Sequence, residues 1–224
     1  MGGTQEPLLN RLNPWLRGTR IHLMNYDFLV STYRTERLKV LSVWSLFRDE
    51  DMDLRPHPTD TRGRSVREQM IHQCLSEDLW FRTFFGIDLG ADALPAEETR
   101  LAFIRKYDSD SERRLQSLTT QNPEWWEQDV EFFKVSRSRA WVMVRRIAHT
   151  AHHRGQQTAM LRMINRDLHS TYGPSADTGG LPKNGAPTIY AYSDAAAIIV
   201  GESSGGAKAP LPGSAGLPVT ERGT

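Results

Sequence analysis

The sequence predicts an all-α protein, a four-helix bundle followed by an irregular Gly/Pro/Ser-rich C-terminal extension. Three observations predict it. Four segments repeat apolar residues at three- and four-residue steps, which is the spacing of one helix face. The connections between them are short, as neighbouring antiparallel helices require. Past Leu168 the periodicity gives way to Gly, Ser and Pro.

The totals narrow the class. The 224 residues carry 28 basic and 27 acidic side chains, a net charge of +1. That balance gives no electrostatic footprint for nucleic acid or an anionic membrane, so neither is expected as a partner. No run approaches the roughly 20 apolar residues of a membrane-spanning helix. The single cysteine, Cys74, allows no intramolecular disulfide and points to a reducing compartment. The first residues, MGGTQEPLLNRLNPWL, lack the basic-then-apolar order of a secretory signal. A soluble, cytoplasmic protein is expected.

In chain order, residues 1–24 are broken by Pro7, Pro14 and Gly18 and read as an N-terminal arm. The bundle is expected over 25–168. Its first helix spans 25–48, with Phe28, Leu29, Tyr33, Val40, Leu41, Trp44 and Phe47 on the repeating face. Pro56, Pro58 and Gly63 make 49–63 a loop. Ser65 and Glu68 then have capping-box spacing and open a second helix that runs to about Phe85 and stops at Gly86. Val66, Met70, Cys74, Phe81 and Phe84 form its apolar side; His72 lies in a mixed row with Gln69, Ser76 and Leu79. Cys74 reads as a buried small hydrophobe.

Pro95 suits the first turn of a third helix over 96–120, with Leu101, Ile104, Leu115 and Leu118 inward and DSDSERR as a solvated middle. The aromatic stretch from Trp125 to Val135 is short enough to pair as extended strands. The fourth helix starts near Ser136–Ser138 and runs to about Leu168. Residues 169–200 are expected to be an irregular extension packed on the bundle, with a short strand at Thr188–Tyr192, and 201–224 a mobile tail.

The chemistry concentrates in RIAHTAHHRGQQ, Arg146–Gln157, which packs His149, His152 and His153 into five residues. His149 and His153 are one helical turn apart, the spacing two imidazoles need to share a metal ion. They lie on a stripe with Val142, Arg146, Gln156, Met160 and Ile164, which aims them inward. His152, three residues from His149, is the alternative partner. Two ligands are too few, and His72 is the one remaining histidine in the middle of a strong helix. Three imidazoles from two helices would leave an open coordination position, the mark of a catalytic site. Gln156, Arg146 and Gln69 are candidates to orient a ligand or touch substrate, and Arg145 and Arg146 could meet a substrate's anionic group. Gly155, beside the pair, suggests close approach of another backbone.

The segment HQCLSEDLW at His72–Trp80, followed some seventy residues on by HTAHHRGQ, resembles the DinB-like, damage-inducible family of metal-binding four-helix proteins. The resemblance covers about Asn25–Leu168, and YGPSADTGG at Tyr172–Gly180 is similar to the tail of some bacterial members. It implies a divalent metal held by His72, His149 and His153, with His153 rather than His152 because it directly precedes Arg–Gly–Gln. Zinc is the expected ion, with nickel or iron as alternatives. The resemblance further implies a homodimer and, from some relatives, a metal-dependent S-transferase acting on a low-molecular-weight thiol and an electrophile. The alternatives are a metal-dependent hydrolase and a non-catalytic metal-binding or dimeric stress protein.

Overall fold

The computed structural model describes residues 25–213 together with Gly216, Leu217 and Thr220. The expected N-terminal arm, 1–24, lies outside the described residues. Helix α1, Asp27–Leu46, buries Leu29, Tyr33, Val40, Leu41 and Trp44. Phe28 departs from the expected stripe: it stands on the first turn and is exposed.

Helix α2, Val66–Trp80, begins where its cap predicts. The Ser65 hydroxyl accepts from the Glu68 N–H at 3.2 Å, and the Glu68 carboxylate accepts from the Ser65 N–H at 2.9 Å. The helix continues as a π-turn over Phe81–Phe85 and ends at Gly86, whose φ of 65° is the left-handed stop that glycine allows. Val66, Met70, Cys74, Phe81 and Phe84 are all buried.

Helix α3, Arg100–Thr119, starts later than expected. Pro95 stays in the preceding loop, and Thr99 caps the helix by accepting from the Ala102 N–H at 3.3 Å. Its middle is only partly solvated: Ser109 and Arg113 are exposed, and Asp108 and Glu112 half-buried. Asp110, Ser111 and Arg114 are buried, and their polarity is matched by Lys106 at 3.0 Å from Asp110, Arg37 at 2.9 Å from Ser111, and Asp78 at 3.1 Å from Arg114. Polar partners from the neighbouring turn of α3 and from α1 and α2, invisible to periodicity, turn these three residues inward.

A single short turn, α4 (Pro123–Glu127), leads into the expected extended pair. Strands β1 (Asp129–Phe132) and β2 (Val135–Ser138) are antiparallel, with Phe132 opposite Val135. Helix α5, Arg139–Met163, follows directly, capped by the Ser138 hydroxyl. It stops five residues short of Leu168, where Asn165 takes a left-handed φ of 55°.

The extension carries an element that its composition hides. Thr188–Tyr192 is not a strand; instead α6 spans Ala195–Ser203, capped by Asp194. Ile198 is fully buried in the core, and Arg100 pairs with Glu202 at 2.6 Å. The tail expected from 201 therefore opens inside a helix, and Ala209 still donates to the Ala191 carbonyl at 3.3 Å. Several of the residues after Gly213 lie outside the described set.

The protein is thus mostly helical with one small hairpin. Helix α1 packs on α3 and α5, α2 on α5, and α6 on α1 and α3. One buried cluster gathers Trp44, Met70, Phe103, Tyr107 and Met160, the other Tyr33, Phe81, Leu115 and Val142. Among the described residues no helix is long and apolar enough to cross a membrane.

Candidate metal centre

Helices α2 and α5 lie side by side, and their facing edges bring His72, His149 and His153 together. One nitrogen from each ring lies within 4.8 Å of the others. Ring centroids are 4.5 Å apart for His72–His153 and His149–His153, and 5.4 Å for His72–His149. The Nε2 atoms of His149 and His153 are 3.1 Å apart. A tetrahedral ion with bonds of about 2.0–2.1 Å sets its ligand atoms about 3.3 Å apart, so this pair fits such an ion closely.

The protonation states suit a metal as well. Burial, then Arg146 and the neighbouring histidines, lowers His149 to about 3. Burial and then His72 lower His153 to about 4. His72 is lowered by burial and then by Arg64. All three rings are therefore neutral near pH 7 and have lone pairs to offer. The donor set fits a borderline divalent ion: His72, His149 and His153 would hold it.

Hydrogen bonds orient the rings. Gln69 Oε1 lies 2.9 Å from His153 Nδ1, and Gln156 Oε1 lies 3.1 Å from it; Gln69 Nε2 also donates to Gln156 at 3.0 Å. Arg146 can only donate, so in the metal-free protein His149 Nδ1 accepts from it at 3.4 Å and Nε2 keeps the proton; an ion held at Nε2 would shift that proton to Nδ1 and end this contact. The Trp80 ring stacks on His149 at 5.6 Å and 12°.

Two expectations change. Arg146 is 1% exposed and bonds to Glu77 at 3.0 Å and to Ser76 at 3.0 Å, which leaves it no surface for a substrate's anionic group. Arg145 is exposed. Gly155 faces open space: a Cβ there would meet nothing within 4 Å. No backbone approaches it. His152 is exposed, with its ring 5.1 Å from His153. His57 is exposed, His169 is buried against the Ala209 carbonyl at 2.7 Å, and His22 lies outside the described residues.

Sequence reasoning missed the support behind the cluster. Glu77 is fully buried where the two cores meet, accepting from Tyr33 at 2.6 Å and Tyr107 at 2.9 Å, with Arg146 at 3.0 Å and Arg114 at 3.6 Å. Burial alone would raise its pKa; Arg146 and Arg114 outweigh that and keep it a carboxylate. Five residues past His72, Glu77 points away from the ligand face. The signal that could have found it is a lone acid on the apolar side of α2. Trp80, buried in the second core cluster, also forms a wall of the histidine cluster.

A mostly helical fold with three imidazoles converging between two helices defines a candidate metal-binding class. The model of the DinB family matches residues 26–179, and the chain belongs to that family. Among solved structures it is similar to a DinB-like protein from Bacillus cereus ATCC 10987, with a TM-score of 0.52 and 15% identity over 65% of this chain and 93% of that one. None of the curated proteins matches it.

Proposed function

We propose that this DinB family member is a metal-dependent thiol S-transferase, with a divalent ion held by His72, His149 and His153. The observation that carries the reading is that three neutral imidazoles, with no carboxylate among them, converge within 4.8 Å beside an open depression of about 520 Å³ next to His72. When bound, such an ion acts as a Lewis acid that lowers the pKa of a thiol or water. The protein's own part is orientation. Gln69 and Gln156 fix the His153 ring, Trp80 braces His149, and Arg64 beside His72 offers a cation to an anionic group of the thiol. In the reaction a bond forms between the thiol sulfur and the electrophilic carbon. The carbon's leaving group departs with its electron pair, and the thiol proton goes to solvent.

We read the four long helices as a four-helix bundle over 25–168 and the ion as zinc, in a cytoplasmic homodimer. The test is turnover of a panel of bacterial low-molecular-weight thiols with an electrophilic acceptor by zinc-loaded protein. Thiol consumption that is lost in His153→Ala supports transfer. Ester or amide cleavage with no thiol consumed would favour a hydrolase. No turnover, with a large fall in melting temperature on chelation, would favour a non-catalytic metal-binding protein.

A further inference from the structure

Two buried polar atoms without a hydrogen-bond partner, Arg154 Nη1 and His169 Nδ1, belong to residues that line one depression. It lies between the middle of α5 and residues 168–175 of the extension and holds about 280 Å³. Arg154 follows His153 in the chain but leaves α5 about 100° further round. None of the three clustered histidines lines the depression, so it is separate from the metal centre.

The two unpaired atoms are complementary. Arg154 is 1% exposed and His169 5% exposed, and a buried polar atom left unpaired is costly. Nη2 of Arg154 donates to Glu36 and to the Tyr172 hydroxyl, which leaves Nη1 as a spare donor. Nε2 of His169 lies 2.7 Å from the Ala209 carbonyl, a pure acceptor. Nε2 therefore carries the proton, and Nδ1 is a spare acceptor.

The surroundings narrow the ligand. The bend at 171–173 lines the depression, and its backbone N–H groups have no partner among the described residues. Free amides of successive residues favour an anion. Arg154 and Lys39 both pair with Glu36, so two positive charges meet one negative. The single charge left over matches a monoanion. Ala151, Leu168 and Pro174 supply apolar walls. Gly155 also lines the depression, and a Cβ there would meet nothing within 4 Å, so the glycine keeps the space free.

We propose that this depression binds a small 2-hydroxycarboxylate. The carboxylate accepts from Arg154 Nη1 and from the amides of the bend, the hydroxyl donates to His169 Nδ1, and the carbon chain rests on the apolar walls. The site is independent of the S-transfer reading and stands without it.

The test uses the full chain, as purified and after chelation. L-lactate, propionate and inorganic phosphate are the probes, followed by isothermal titration calorimetry, with metal content by elemental analysis. Gly155→Ala and Gly155→Leu place successively larger side chains in the depression, and both replace a helical glycine by a better helix former, so both should fold. Lactate is expected to bind with a Kd on the order of 1 mM, about tenfold tighter than propionate, which lacks the hydroxyl. Affinity should fall in Gly155→Ala and further in Gly155→Leu, with metal content unchanged, and should survive chelation. No lactate binding, phosphate bound more tightly than lactate, or equal affinity for propionate would each overturn the proposal. So would lactate affinity undiminished in both variants. Lactate binding lost on chelation would place the ligand on the metal ion and overturn the separate site. The Gly155→Ala and propionate comparisons decide the matter even if Gly155→Leu melts early.

Discussion

The Nε2 atoms of His149 and His153 face each other at 3.1 Å. That is a hydrogen bond, so one nitrogen carries the proton and the other accepts it. Arg146, a pure donor, occupies His149 Nδ1, while Gln69 and Gln156 present carbonyl oxygens to His153 Nδ1. The network assigns opposite tautomers: His149 protonated on Nε2, His153 on Nδ1. Long-range ¹H–¹⁵N NMR of the metal-free protein is expected to find this pattern; the same tautomer on both rings would contradict it.

Metal retention tests the cluster itself. Protein purified without a histidine tag is expected to hold about one ion per chain, from a single three-imidazole site. His72→Ala and His153→Ala are expected to lose it. Full occupancy in both variants would dismiss the ligand set.

Gln69 is predicted to act through His153. Removing a hydrogen-bond partner behind a ligating histidine costs about 10–100-fold in metal affinity. Gln69→Ala should fall in that range by chelator competition, with little change in melting of the metal-free protein. An unaltered affinity would show that Gln156 alone orients the ring.

The depressed histidines predict a pH dependence for the metal-free protein. The folded values, about 3 for His149 and about 4 for His153, lie below the ordinary value of 6.5. Between pH 6.5 and these values the unfolded chain binds more protons than the folded one. The stability contribution is therefore complete above pH 6.5 and is lost as pH falls toward 4 and 3. The urea midpoint should drop from pH 6.5 to 5, and the drop should shrink in His149→Gln/His153→Gln. An equal slope in that variant would place the dependence elsewhere.

Two further variants separate core from surface. Glu77→Gln removes the charge that faces buried Arg146 and Arg114, and breaking such a pair costs about 3–5 kcal/mol by urea denaturation. Gly155→Ala, in the middle of α5 with open space at its Cβ, should stabilise by roughly 0.5–1 kcal/mol. A loss on Gly155→Ala would mean that something approaches that turn after all.

The sequence by itself determined the helical class, the Ser65 cap that starts α2, the stop at Gly86 and the one-turn spacing of His149 and His153. All of these are local: a cap, a left-handed glycine or an i, i+4 pair is decided within a few residues of backbone geometry. The resemblance of HQCLSEDLW and HTAHHRGQ to a known family added His72. Tertiary structure alone decided the rest. It turned Asp110, Ser111 and Arg114 of DSDSERR inward because Lys106, Arg37 and Asp78 meet their polar groups from other turns and helices. It buried Arg146 behind the ligands because Glu77 waits on α2, and it folded Ala195–Ser203 into a helix that the surrounding Gly and Pro had masked. It also set Trp80 against His149 and packed Phe132 of the hairpin on Trp80. Partners far apart in the chain decide whether a charge is solvated and which face an aromatic shows, and no repeat in one segment records them.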